Sequence, residues 1–310
     1  MPKPIIIDCD PGHDDAIALI LALASPELDV RAITTVAGNQ TLDKTLHNAL
    51  RILTLLGRHD IPVAAGAAKP LQRALEIAAQ VHGESGLDGP QLPEPAFCAA
   101  SEGALALMAR VLEQSAEPIT LVPTGPLTNI ATAFARAPDI VSRVQQIVLM
   151  GGAYFEVGNI TPAAEFNIYV DPEAADIVFK SGVPIVVMPL DVTHKALTTR
   201  ARIEAFRNLG TEPGRMVAEW TDFFERFDMQ KYGSEGAPLH DPCVIAYLIR
   251  PDLFTGRHIN VEVETQSELT LGMTVADWWG VTSRPANALF IGDLDAEGFY
   301  ALLTERIARL

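Results

Sequence analysis

The chain has 310 residues, 48% hydrophobic and 20% charged, a globular balance at a length that buries most of the unfolded surface. Lys and Arg number 23 against 39 Asp and Glu, a formal charge of −16, with no basic run anywhere, which argues against nucleic acid as a partner. The longest apolar run, Ala16–Ala24, is nine residues, about half of the ~18 that a membrane span needs, so no membrane partner is expected. The N-terminus enters a strand-like run without a signal-peptide core. Cys9, Cys98 and Cys243 are odd in number and unpaired in spacing. Together these predict a cytoplasmic protein with no disulfide frame and no Cys-rich zinc site. Cys243, inside an apolar run, reads as core packing.

In chain order, Ile5–Asp8 reads as a short buried strand and Asp14–Ser25 as a helix stopped before Pro26. Val30–Val36 is a β-branched strand ending in Ala37-Gly38-Asn39, and Leu42–Leu56 is a helix ended by Gly57. Ile61–Ala65 is a strand, and residues 66–95, punctuated by Gly and Pro, read as a long loop of the kind that is functional or disordered. Glu102–Ser115 predicts a helix, Ile119–Val122 a strand, and Ile147–Met150 a strand closed by Gly151-Gly152. Pro172–Lys180 predicts a helix and Pro184–Met188 a strand. Beyond about residue 200 come helices, then the late strands Ile259–Val263 and Ala288–Ile291. This alternation predicts an α/β fold: one domain over residues 1–310, with a mostly parallel central sheet, helices on both faces and a Rossmann-like core. No linker, repeat or low-complexity tract interrupts it.

Ligands of open α/β sheets sit beyond the carboxyl ends of the strands. Those ends carry Asp8-Cys9-Asp10-Pro11-Gly12-His13-Asp14-Asp15, then Gly38-Asn39, Pro123-Thr124-Gly125-Pro126, Gly151-Gly152 and Asp191, and all of them should converge on one crevice. Four carboxylates within eight residues repel one another. A hard divalent cation removes the conflict, and oxygen-rich carboxylate sites suit Ca²⁺ or Mg²⁺. The plainer reading is that Asp14 and Asp15 favour the positive end of a helix. Other templates fail: no Gly-Lys pair for a phosphate loop, no HExxH, no GxSxG and no GxGxxG are present.

The run Asp8-x-Asp10-x-Gly12-x-Asp14-Asp15 resembles the signature of the nucleoside hydrolases of the inosine–uridine preferring type. The likeness continues through Gly38-Asn39, Val81-His82-Gly83-Glu84-Ser85-Gly86-Leu87, Pro123-Thr124-Gly125-Pro126-Leu127-Thr128-Asn129, Met150-Gly151-Gly152, Ala164-Glu165-Phe166-Asn167 through Ala174, and Leu239-His240-Asp241-Pro242. Within that family the pattern is most similar to the pyrimidine-preferring ribonucleoside hydrolases. The resemblance implies one α/β domain, a bound Ca²⁺, a homotetramer or dimer, and hydrolysis of ribonucleosides, cytidine and uridine before purines, to ribose and free base. It implies Asp10, Asp15, Asp241 and the Thr124 carbonyl as metal ligands, with Asp8 supporting the site. It implies Asp14, Asn39, Asn159, Glu165 and Asn167 as the residues holding the ribose hydroxyls. Asp10 is also implied as general base, and His82 and His240 as catalytic groups near the leaving base.

Chemistry agrees with that assignment. Breaking an N-glycosidic bond builds positive charge on the sugar, which surrounding carboxylates stabilise. Calcium acidifies water less than zinc does, so a carboxylate base is needed and the metal's role is positioning. Histidine titrates near neutrality and suits a departing pyrimidine. Phe223, Phe224, Phe227 and Tyr232 lie near His240 in sequence and read as core or lid packing. Blander readings stay open: Asn39 as a turn residue, Glu165 and Asn167 as exposed loop polars, His82 as a surface loop residue, and His240-Asp241-Pro242 as a helix start with Asp241 as cap. A purine-preferring or nonspecific nucleoside hydrolase remains an alternative. So do a metal-dependent phosphohydrolase with an Asp nucleophile, disfavoured by Gly12, and a non-enzymatic nucleoside binder.

Overall fold

The computed structural model describes residues 1–232 and 236–310, with side chains described outside 225–235. The strands of its main sheet are β1 (Lys3–Cys9), β2 (Leu28–Thr35), β3 (Val63–Ala65), β4 (Ile119–Pro123), β5 (Val144–Met150), β6 (Ile185–Met188), β7 (Phe254–Ile259) and β8 (Ala288–Leu294). They form one eight-stranded sheet in the order β3-β2-β1-β4-β5-β6-β8-β7. Every neighbouring pair is parallel except β8 with the edge strand β7. The helices are α1 (His13–Leu23), α2 (Leu42–Leu55), α3 (Ala79–His82), α4 (Ala104–Gln114), α5 (Thr128–Arg136), α6 (Phe166–Val170), α7 (Pro172–Phe179), α8 (Leu190–Thr193), α9 (Arg200–Arg207), α10 (Glu212–Tyr232), α11 (Pro242–Ile249) and α12 (Ala296–Ile307). Among the described residues no helix is long and apolar enough to cross a membrane.

The sheet is buried on both faces, which explains the unbroken Ile5-Ile6-Ile7 run in β1. Alternate side chains feed opposite cores. Ile5 and Ile7 join α1, α11 and α12 residues such as Leu19, Ile245 and Leu303. Ile6 joins α4, α5 and α7 residues such as Leu107, Ile130 and Val178. Each such fully buried side chain contributes about 1.5–3 kcal/mol. Helix α1 is apolar almost all round, and His13 through Ala22 are buried because other helices cover its outer side.

From β1 the chain steps outward to β2 and β3, then returns to lay β4 on the other side of β1 and continues to β5 and β6. The β1/β4 boundary is therefore the switch point, where connections leave in opposite directions and open a crevice at the carboxyl ends. The Thr124 N–H donates to the Asp8 carbonyl there at 2.9 Å.

One expectation needs correction, and another gains detail. The run Ile259–Val263 is not one strand: β7 stops at Ile259, and Val261–Val263 pairs antiparallel with Thr274–Ala276 in a separate ribbon. Between them Asn260 is buried, its amide donating to the Pro285 carbonyl at 3.1 Å. Residues 66–95 are mostly irregular, yet they contain α3 and are fastened in place. Asn48 donates to the Ser85 and Pro11 carbonyls, and Gln40 to the Gly83 carbonyl. These side chains, in α2 and just before it, satisfy loop carbonyls that no sheet or helix pairs.

Candidate active site

Strand β1 ends because Pro11 has no N–H to continue the ladder, and the chain turns into α1 over Gly12. Asp10 is thereby left at the switch point, fully buried. Its Oδ2 accepts the Asn39 N–H at 2.7 Å, and its Oδ1 has no hydrogen-bond partner. Glycine is required on both sides: a Cβ at Gly38 would lie 2.1 Å from Oδ2, and one at Gly125 would lie 2.4 Å from Oδ1. Asp15 accepts Gly12 N–H at 2.9 Å, the Asn39 amide at 3.1 Å and the Thr124 hydroxyl at 2.7 Å. So Asp15 does cap α1, as the plainer reading had it, but it also ties three strand ends together.

Asp14, Asp15 and Asp241 each offer an oxygen, and these oxygens lie within 4.8 Å of one another. All three are buried. Burial pushes all three carboxyls up; the charge of Asp15 adds to this at Asp14, and the charges of Asp14, Asp15 and Asp10 add to it at Asp241, whereas hydrogen bonds from Gly12 and Thr124 draw Asp15 back down. Asp10 is pushed well above the usual carboxylate range in the same way, by burial and then by Asp15. Asp241 stands at the start of α11 but caps none of its N–H groups; its carboxyl faces Asp14 and Asp15 instead. Clustered hard donors with one orphaned oxygen fit a divalent cation, and the group could hold one. The tightest set contains Asp14, which the sequence pattern placed with the sugar; Asp10 is outside it. Asp8 lies behind, receiving the Thr34 hydroxyl at 2.5 Å and the Asn129 amide at 2.8 Å.

Above this group a cleft opens to solvent, concave and lined by a few convergent polar groups as small-ligand sites are. Asp14, Asn39, Asn159, Glu165 and Asn167 all line it, as do Thr124, Asp241, His82 and His240. Glu165 and Asn167 are buried rather than exposed loop polars. Glu165 caps α6, accepting the Asn167 and Ile168 N–H groups, and also accepts Gly152 N–H at 3.0 Å. Burial nonetheless pushes its carboxyl up to about 7. The Asn167 amide donates to the Thr124 carbonyl at 2.7 Å, so the chain already uses one lone pair of that oxygen. Asn159 accepts the Phe166 N–H at 2.8 Å.

His82, the last residue of α3, is 5% exposed and is not a surface residue. The His240 ring contacts the Thr193 hydroxyl at 2.8 Å. The near-neutral titration expected of them does not survive folding. Burial drives His82 well below its ordinary value and His240 down to about 3. Phe224 lines the cleft beside His82, at 5.8 Å between ring centroids. Phe227 and Tyr232 lie outside the described side chains. Asp191 does not join the cleft: its carboxylate accepts the Tyr154, Phe155 and Glu156 N–H groups and fixes the segment after Gly151-Gly152.

The sequence pattern missed His194, which lines the cleft 5.8 Å from His240, and His13, which lies against His82. His194 follows a strand end and was findable by position; His13 carried no signal beyond its place between two motif residues.

A family model described as inosine-uridine preferring nucleoside hydrolase matches residues 5–301. The chain belongs to the nucleoside hydrolase family. As such it is a hydrolase acting on ribonucleosides. This nucleoside hydrolase is 59% identical to the pyrimidine-specific ribonucleoside hydrolase RihA of Photobacterium profundum, over 99% of each chain. It is 58% identical to the protein of the same name from Salmonella typhi, again over 99% of each. Among solved structures it is similar to a purine-preferring ribonucleoside hydrolase from Gardnerella vaginalis, at TM-score 0.92 and 33% identity, covering 99% of this chain and 98% of that one.

Proposed function

We propose that this hydrolase cleaves the N-glycosidic bond of pyrimidine ribonucleosides, cytidine and uridine, giving ribose and free base with Ca²⁺ as cofactor. The observation that carries this reading is the buried carboxylate group at the β1/β4 switch point, open to a cleft whose walls supply hydroxyl-binding amides and carboxylates. The pyrimidine preference is supported by relatives of 58–59% identity named as pyrimidine-specific; the purine-preferring neighbour is at 33%. Asp10, Asp15, Asp241 and the Thr124 carbonyl would hold the cation, with Asp14 near enough to share it. When bound, the cation neutralises clustered negative charge and lends Lewis acidity toward oxygen.

The chain's own groups do the rest. Asp14, Asn39, Asn159, Glu165 and Asn167 hold the ribose hydroxyls and set C1′ above Asp10. The orphaned Oδ1 of Asp10 accepts the proton of the attacking water as its oxygen bonds to C1′. The C1′–N bond breaks and its electron pair leaves with the base, which takes a proton from solvent across the cleft, while Asp10 later returns the water's proton to solvent. Positive charge that develops on the sugar faces buried carboxylates, where the field acts strongly. His240 and His82 hydrogen-bond the base side of the substrate. The same reading makes residues 1–310 one domain of a cytoplasmic homo-oligomer, a tetramer or dimer.

The test is a nucleoside panel assayed for released ribose, with and without chelator. Cytidine and uridine should be cleaved much faster than inosine or adenosine. If inosine is the best substrate, the pyrimidine reading falls and the family stands. If no nucleoside is turned over, the catalytic reading falls.

A further inference from the structure

Residues 279–286 are exposed without a break. They follow the ribbon strand Thr274–Ala276 and carry two large apolar side chains, Trp279 at 73% and Val281 at 83% exposure. This projection is held in shape: the Asp277 carboxylate accepts the Val281 and Thr282 N–H groups, each at 2.8 Å, and the Thr282 hydroxyl at 2.6 Å. Beside it, Phe155 is 61% exposed and meets Trp278 edge-on, with 5.2 Å between ring centroids. The Arg257 guanidinium lies 5.0 Å from the Trp278 ring and 5.9 Å from the Trp279 ring, joining the two. A groove lined by Phe155, Trp278, Gly256 and Gly292 opens alongside.

We propose that this aromatic face is where a second copy of the chain docks across a two-fold axis, and that the docked copy braces the cleft wall from Phe155 to Asn159. The proposal rests on the homo-oligomer reading and deepens it by naming the surface. Phe155, Trp279 and Val281 expose on the order of 400 Å² between them, half of the ~800 Å² per partner that a stable interface buries; the groove and its rim add to this. A two-fold contact sets one patch against itself. Here a projection and a groove lie side by side, so each copy can offer its projection to the other's groove. The chain as a whole carries −16, and like charge opposes self-association. The buried Asp191 apart, the acids lining this face, Glu156, Asp277 and Asp293, are matched by Lys195, Arg257 and Arg284. Two copies can therefore meet here with little repulsion.

Docking bears on the site because Phe155 belongs to a segment that also forms the cleft wall. The next residue, Glu156, meets Nδ1 of the cleft residue His194 at 3.3 Å. Asn159, three residues further on, lines the cleft itself. On the protein side the Asp191 carboxylate accepts the Phe155 and Glu156 N–H groups at 2.6 and 3.3 Å. A second copy closes on the Phe155 ring from the solvent side. A segment held from both sides loses less freedom when it binds the sugar, so binding is tighter.

Sedimentation velocity of the full chain reads the particle mass without substrate, so the outcome does not depend on the catalytic reading. Trp279→Asp and Val281→Asp change side chains that face solvent, so the protomer should stay folded by circular dichroism. Each should halve the particle mass, whether wild type is a dimer or a tetramer. Phe155→Ser reaches the same face from a separate segment and should do the same, whereas Trp279→Phe should keep the wild-type mass. In the halved particles kcat/KM for uridine should fall at least about fivefold, the low end of coupling between sites, with most of the change in KM. A wild type that sediments as a monomer overturns the proposal and the homo-oligomer reading together. A wild-type oligomer whose mass survives all three disruptive variants overturns the surface alone. Halved mass with unchanged KM overturns the bracing of the cleft wall.

Discussion

Thr124, at the end of β4, donates its hydroxyl to Asp15 Oδ1 at 2.7 Å, at the start of the helix that follows β1. The bond crosses the switch point and fixes a carboxylate that the proposed cation needs. Thr124→Val keeps the carbonyl and removes the donor. It should cost about 1–3 kcal/mol in denaturant unfolding, the usual effect of orphaning a buried acceptor, and should raise the Ca²⁺ concentration needed for half-maximal activity. A variant unchanged in both would show that the bond is incidental.

Removing the metal tests the carboxylate group as a whole. Chelation should abolish turnover, and Ca²⁺ should restore it, because Asp14, Asp15 and Asp241 crowd oxygens within 4.8 Å. Full activity in protein shown to be metal-free by elemental analysis would contradict the cofactor reading.

Asp10→Asn removes the proposed base while leaving an oxygen in place. A general base contributes on the order of 10²–10⁴-fold, so kcat should drop at least that far, while nucleoside affinity, measured by calorimetry, should change less. Near wild-type kcat would move the base elsewhere.

The sugar-side groups Asp14, Asn39, Glu165 and Asn167 are all buried, and a hydroxyl missing from the ligand would leave them unpaired. Discrimination against 2′-deoxyribose should therefore be roughly 10²-fold or more in kcat/KM. Comparable rates on uridine and deoxyuridine would mean that these groups serve the fold and not the substrate.

His240 is held by the Thr193 hydroxyl at 2.8 Å on the cleft wall. His240→Ala should slow uridine far more than p-nitrophenyl riboside, whose leaving group needs no proton. Equal slowing of the two would place His240 with the sugar or the metal rather than the base.

The acidic run after β1 and the alternation of strands and helices are local facts, and the sequence by itself determined both. Ile5-Ile6-Ile7 could only be a strand buried on two faces, and Asp10-Pro11-Gly12 could only end it. Short-range pattern also marked Asn39, Thr124 and Asp241, because each follows or precedes an element break. Convergence was a different matter. Asp191 ends a parallel strand as Asp10 does, yet its carboxylate is consumed by three backbone N–H groups from residues 154–156, which nothing local reveals. Ile259–Val263 has the composition of one strand but divides at Asn260, because the edge of the sheet ends there. The histidines show the largest gap. Sequence fixes their ordinary titration range, whereas burial fixes their actual form, and burial depends on α3, α10 and the loop around Asp88 packing together. Only the tertiary structure brings His13 to His82 across 69 residues, because a contact at that separation is set by how α1 and the loop around Asp88 pack in space and not by any local pattern.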